Sequence, residues 1–224
     1  MKRLYHWPLD PAARAVRLVL AEKQESALLV ESAPWSIHPD LDRLAPGAGT
    51  PAFIDHVSEG RVVAIGLHAA LEHLEEAYPT PRLLPISRQD RAEARRLWDW
   101  CVLEFSVVNE ALLAERVTQW VRRDRQPDSA ALRKGAHALR SKLTFLNALA
   151  EARTFIAGRA FSLADLVIAA QLSCLDYFGD IDWSMSPDLK SWYGRMKSRP
   201  GFRPLLQDRI EGVRPVKHYA DLDF

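Results

Sequence analysis

The sequence predicts a small α/β unit of βαβ-ββα order followed by an all-helical domain. Three observations carry this: short apolar strands alternate with helical spacing over the first 78 residues, a proline-rich stretch without periodicity follows at 79–87, and only helical periodicity comes after it. KRLYH at 2–6 is a short apolar-aromatic strand, and Pro11 opens AARAVRLVLAEK, where Ala12, Ala15, Val16, Val19 and Leu20 recur at helical spacing. A second strand is expected at Ala27–Val30, then an irregular stretch, SAPWSIHPDLDRLAPGAG. Strands at Ala52–Asp55 and Arg61–Ala64 flank the turn VSEG, and a helix over Leu67–Ala77 stops at Tyr78-Pro79. PTPRLLPIS at 79–87 reads as a linker, which places the first domain at 1–78.

Beyond the linker, amphipathic stretches run from about Arg88 to Arg125 and from about Asp128 to Glu151, with the break at Gln126-Pro127. Further helices are expected at Ser162–Tyr177, Pro187–Ser198 and Phe202–Arg209, giving a helical domain over 88–212 and a tail over 213–224. In FSLADL, Ser162 caps a helix while Asp165 reaches back to the Ser162 backbone N–H, with Phe161 placed to staple onto Leu166.

Composition removes several classes of function. Thirty basic against 29 acidic residues give a net charge of +1, so no global field steers the chain to nucleic acid or to an anionic membrane. No apolar run reaches the ~18–20 residues needed to span a bilayer, and Met1-Lys2-Arg3 does not lead into a signal-peptide core, so a cytoplasmic location without membrane insertion is expected. Cys101 and Cys174 lie inside apolar helical patterns and read as buried hydrophobes. The histidines have no metal-ligand spacing, since His68 and His73 are five apart and do not share a helical face, and no metal or cofactor is expected. Gly47-Ala-Gly49 is a loop without a following G-K-S/T helix. Arg122, Arg123, Arg125, Arg133 and Lys134 read as solvated helix faces, and Trp98, Trp100 and Phe105 as core or dimer seam.

The domain order, TPAF at 50–53, LEHLEEAYP at 71–79, the helix start at Gly158–Asp165 and WYGRMKSRPGF at 192–202 together resemble the cytosolic glutathione transferases over nearly the whole chain. The resemblance implies a thioredoxin-like first domain and a cis proline at Pro51, with the Thr50-Pro51 backbone facing the cysteinyl part of glutathione. The family's chemistry is thiolate activation by a hydroxyl or thiol near the first strand or the first helix. Here His6 and Asp10-Pro11-Ala12-Ala13 occupy those positions, and the Glu-Ser pair that holds the γ-glutamyl group is replaced by Gly66 and Leu67. His6, Thr50, Pro51, Gly66 and Leu67 therefore form a vestigial glutathione site, and no catalytic residue is assigned. A glutathione-dependent enzyme that uses His6 or a backbone donor is the alternative.

The tail HYADLDF, together with Ala33-Pro34-Trp35, resembles a division-protein branch of this family whose members bind the tubulin-like polymer FtsZ. That implies a non-catalytic homodimer acting at the division site. Trp35, Tyr219, Asp221, Leu222, Asp223 and Phe224 are its expected partner contacts, with the acids meeting a basic patch and the apolar residues anchoring the tail. Two other readings remain at this point: Trp35 caps its own domain's core, and the tail is a strap docked on the helical domain with its aromatics buried.

Overall fold

The computed structural model describes residues 1–222. The first domain is a four-stranded sheet in the order β2-β1-β3-β4. β1 (Arg3–His6) pairs parallel with β2 (Leu28–Glu31) and antiparallel with β3 (Ala52–Val57), which pairs antiparallel with β4 (Gly60–Ile65). Helix α1 (Pro11–Glu22) crosses between β1 and β2, with Asp10 as its N-cap and proline in its first turn. Helix α3 (Leu67–Ala77) follows β4 and has the bounds expected from the sequence.

The stretch expected to be irregular contains a helix, α2 (Pro39–Leu44), capped by the His38 side chain. Leu41 is fully buried and joins Tyr5, Ala52 and Ile54 in a small cluster on the sheet face opposite α1 and α3. Six residues are too few to display a helical period, so this element is legible only through Pro39 in its first turn.

The second domain holds α4 (Arg88–Glu104), α5 (Ser106–Val108), α6 (Ala114–Val117), α7 (Ser129–Ala152), α8 (Leu163–Phe178), α9 (Pro187–Lys197) and α10 (Arg203–Gln207). The single long helix expected to about Arg125 is broken at Phe105, and its second half carries two π-helical turns, Asn109–Leu113 and Thr118–Arg122. Gly135 of α7 permits this packing, because a Cβ there would lie 2.6 Å from the Leu112 Cβ. α8 is the central rod, buried from Leu163 to Tyr177, and it starts with the expected Ser162–Asp165 capping box. Trp98 and Phe105 are core residues, while half-buried Trp100 packs against Phe145 and Phe105.

The two domains share one continuous core, with α1 lying along α8. The linker is fixed in place. Buried Lys23 pairs with Glu75 and donates to the carbonyls of Tyr78 and Pro81, while Glu75 accepts from the backbone N–H groups of Leu83 and Leu84. A buried cation with three oxygen partners is tolerated where an unpaired one is not.

Candidate functional site

A cleft of about 500 Å³ opens between the domains. Its first-domain wall comes from the β1–α1 turn (Trp7, Leu9, Asp10, Pro11), the segment after β2 (Pro34, Trp35) and the loop before β3 (Gly49, Thr50). The second-domain wall comes from α6 and the two π-helical turns, through Asn109, Leu113, Val117, Thr118 and Arg122. Such turns rotate side chains out of α-helical register and occur frequently at functional sites.

Trp35 is 42% exposed and stands at the cleft mouth, its ring edge-on to Trp7 with centroids 5.2 Å apart. The Arg122 guanidinium lies 5.9 Å from the Trp35 ring centroid and pairs with Asp124. Arg125, on the same rim, is held by Glu115. At the inner end, the Asp10 carboxylate accepts from the Ala12 N–H at 3.0 Å and from the Thr50 hydroxyl at 2.6 Å. Burial raises the Asp10 pKa, opposed by those bonds.

The positions that the family resemblance assigns to a glutathione site separate. Thr50 lines the cleft, and the Thr50-Pro51 peptide is cis. Gly66 stands at the head of α3 at φ +88°, a conformation that a glutamate would adopt only with strain, and its N–H bonds the Pro51 carbonyl. Leu67 is buried in the shared core. His6, which the alternative enzyme reading would use to polarise a thiol, does not line the cleft. It is 7% exposed, and its Nδ1 is a buried atom without a hydrogen-bond partner among the described residues. Tyr5 points to the α2 side, where its hydroxyl bonds Asp40.

Burial first, and the charge of Arg17 second, push the His6 pKa from 6.5 down to about 4. In the unfolded chain the imidazole takes a proton as pH falls through about 6.5, whereas the folded form resists protonation until about 4. His6 therefore opposes folding increasingly between those values, a loss that reaches about 3 kcal/mol by pH 4. His6→Leu is expected to remove that component. Urea unfolding of parent and variant from pH 7 to pH 4 checks this, and parallel curves would contradict it.

The tail divides at Tyr219. Its side chain is fully buried, edge-on to Tyr177 at 5.1 Å, and its hydroxyl accepts from Arg14 at 2.8 Å and donates to the Leu205 carbonyl at 3.1 Å. The expectation that Tyr219 faces a partner is thereby corrected, because the ring has no surface left to offer. Asp221 and Leu222 are exposed, with Leu222 at the edge of a groove along α9. The expected contacts Asp223 and Phe224 lie outside the described residues. Sequence reasoning missed Trp7 and Arg122 as cleft residues and placed Asp10 only at the family's nucleophile position. Asp10 had a legible signal, an Asp-Pro pair at a helix start. Arg122 had none, because only the fold brings 122 against 35.

Among the described residues, no cluster of three or more His, Cys, Asp or Glu could hold a metal ion, and no helix is long and apolar enough to cross a membrane.

A thioredoxin-like sheet with a cis proline next to the Thr50 that lines an interdomain cleft, joined to an all-helical domain, defines a protein of the glutathione transferase fold. No family model matches the chain. The chain is 42% identical over 224 residues to FtsZ-localized protein A of Caulobacter vibrioides, covering 100% of this chain and 98% of that protein. The solved structure of FzlA from C. crescentus superposes with a TM-score of 0.94 at 42% identity, covering 100% of this chain and 99% of that one. A glutathione S-transferase from Rhodospirillum rubrum F11 superposes with a TM-score of 0.89 at 37% identity, with both chains covered in full (100%). The chain belongs to the glutathione S-transferase-like family that includes FtsZ-localized protein A.

Proposed function

We propose that this protein is a non-catalytic homodimer that binds FtsZ filaments in the cytoplasm and acts in bacterial cell division at the division site. The observation that carries this reading is the 42% identity to FtsZ-localized protein A across the whole chain. The cleft chemistry supports it. Asp10 occupies the N-terminus of α1, so a glutathione thiolate placed there would meet a carboxylate, and Gly66 and Leu67 provide no side-chain hydrogen bond for a γ-glutamyl group. Losing two such bonds to charged ligand groups costs ~3–6 kcal/mol, enough to weaken glutathione binding at least hundredfold. Contacts to FtsZ are assigned to Trp35 at the cleft mouth and to the exposed end of the tail, Asp221 and Leu222, with Asp223 and Phe224 continuing it in sequence.

Co-sedimentation with FtsZ polymers at physiological salt tests the reading. This protein is expected in the pellet only when polymer is present, and a supernatant unchanged by polymer would overturn the assignment. The alternative, a glutathione-dependent enzyme, is favoured by the retained cis Thr50-Pro51 loop and the open cleft. It requires millimolar glutathione to raise the melting temperature, and no rise is expected here.

The homodimer has a physical motive, although not the one drawn from Trp98 and Trp100, which each protomer covers itself. Leu103 is 69% exposed, and Val102 and Val107 beside it are exposed as well, an apolar face on α4 and α5. Two copies burying this face give each assembly two filament-binding surfaces, so weak sites add through effective concentration. Leu103→Glu is expected to shift the scattering mass at tens of micromolar to that of one 25.4 kDa chain. A parent that is already monomeric there would contradict the dimer.

A further inference from the structure

We propose that the interdomain cleft is a binding site for an organic cation, an alkylammonium or guanidinium group seated between the Asp10 carboxylate and the corner formed by Trp7 and Trp35. The charges lining the cleft are Asp10, Arg122 and Arg125. Each arginine is already neutralised by its own carboxylate, Asp124 and Glu115. Asp10 is not. Among the described residues its side chain accepts only from neutral donors, the Thr50 hydroxyl and backbone N–H of α1's first turn, and it forms no ion pair. A carboxylate has about four acceptor positions, so Asp10 retains capacity toward the cleft.

The two indoles meet edge-on at 75°, with Trp35 exposed and Trp7 buried but lining the cleft, an aromatic corner of the kind that holds ammonium ligands through ring quadrupoles. The Arg122 guanidinium, held by Asp124, lies 5.9 Å from the centroid of the outer tryptophan. A cleft of about 500 Å³ accommodates a small amine or a basic side chain with its flanking backbone. An anion entering the same space would approach the unpaired carboxylate and would have to displace Asp124 or Glu115 to reach an arginine. The cation has two sources, a free amine or a lysine or arginine side chain of a partner peptide. The proposal does not depend on filament binding.

The indole N–H resonances of Trp7 and Trp35 report the test, in NMR titrations of the full chain with choline and with its uncharged isostere 3,3-dimethylbutan-1-ol. Choline is expected to shift both resonances and to bind about tenfold more tightly than the isostere. Asp10→Asn keeps an N-capping oxygen for α1 and turns its amide nitrogen toward Thr50, whose hydroxyl then accepts instead of donating, and it is expected to abolish that preference with little change in melting temperature. A second arm uses Ala-Lys-Ala amide and the same peptide acetylated at its lysine Nζ. Tighter binding of the free-lysine peptide than of choline assigns the site to a partner's basic side chain, and the reverse assigns it to a free amine. Equal binding of choline and its isostere, no shift at Trp7 or Trp35 with either cation at millimolar concentration, or an undiminished preference in a folded Asp10→Asn protein overturns the proposal. The comparison of choline with its isostere in the parent stands even where the variant fails to fold.

Discussion

Tyr219→Ala lowers the unfolding free energy by about 3–5 kcal/mol, the range for removing a large buried ring. The ring is wholly inside, against Tyr177, and the hydroxyl joins the last turn of described chain to two other elements, Arg14 on α1 and the Leu205 carbonyl on α10. Arg14 makes the consequence larger than that of an ordinary tail residue. It is fully buried, and its guanidinium also bonds the Pro8 carbonyl, the Ser173 hydroxyl on α8 and Asp208, so it connects both domains and the tail. Removing the tyrosine leaves one buried N–H of a charged group short of a partner. Tyr219→Phe isolates that contribution, at about 1–3 kcal/mol. Urea unfolding measures both. A Tyr219→Ala protein within 1 kcal/mol of the parent would mean that the tail does not dock on its own domain.

On the proposed FtsZ-binding function, Trp35→Ala is expected to reduce association with FtsZ polymer by about thirtyfold or more, the cost of losing a single aromatic anchor worth ~2 kcal/mol or above. Trp35 keeps 42% of its surface exposed, and its contacts inside the protein are an edge-on meeting with Trp7 and the Arg122 guanidinium, so the variant is expected to fold. Pelleting across a range of polymer concentrations, beside melting curves, checks both halves. A folded Trp35→Ala protein that pellets like the parent removes Trp35 from the interface. For the tail, the informative substitution is Asp221→Asn. Reversing the charge confounds two effects, because Asp221 acts electrostatically on buried Lys197, whose Nζ bonds the Asp221 and His218 carbonyls. Neutralising the acid tests charge complementarity with less disturbance of that bond set.

Much of this architecture is written locally in the chain. Short apolar runs at 52–57 and 60–65, helical spacing after Pro11 and the Ser162–Asp165 box each lie within a few residues, so strands, helices and the helical second domain were legible. That Gly66 and Leu67 carry no polar side-chain group was also visible without coordinates. Three features were decided only by tertiary structure. α2 is too short to show a period, and Leu41 becomes a core residue only once Tyr5, Ala52 and Ile54 converge on it. The π-helical turns that shape the cleft wall carry no periodic signature, and Gly135, more than twenty positions away, makes room for one of them. The tail gives the sharpest contrast. Tyr219, Asp221 and Leu222 look alike as an exposed-contact motif, yet Tyr219 is withdrawn into the core because Arg14, 205 positions earlier, requires its hydroxyl. A side chain's neighbours along the chain set its backbone conformation, but whether it faces a partner or its own interior depends on which distant polar groups would otherwise be left buried and unpaired.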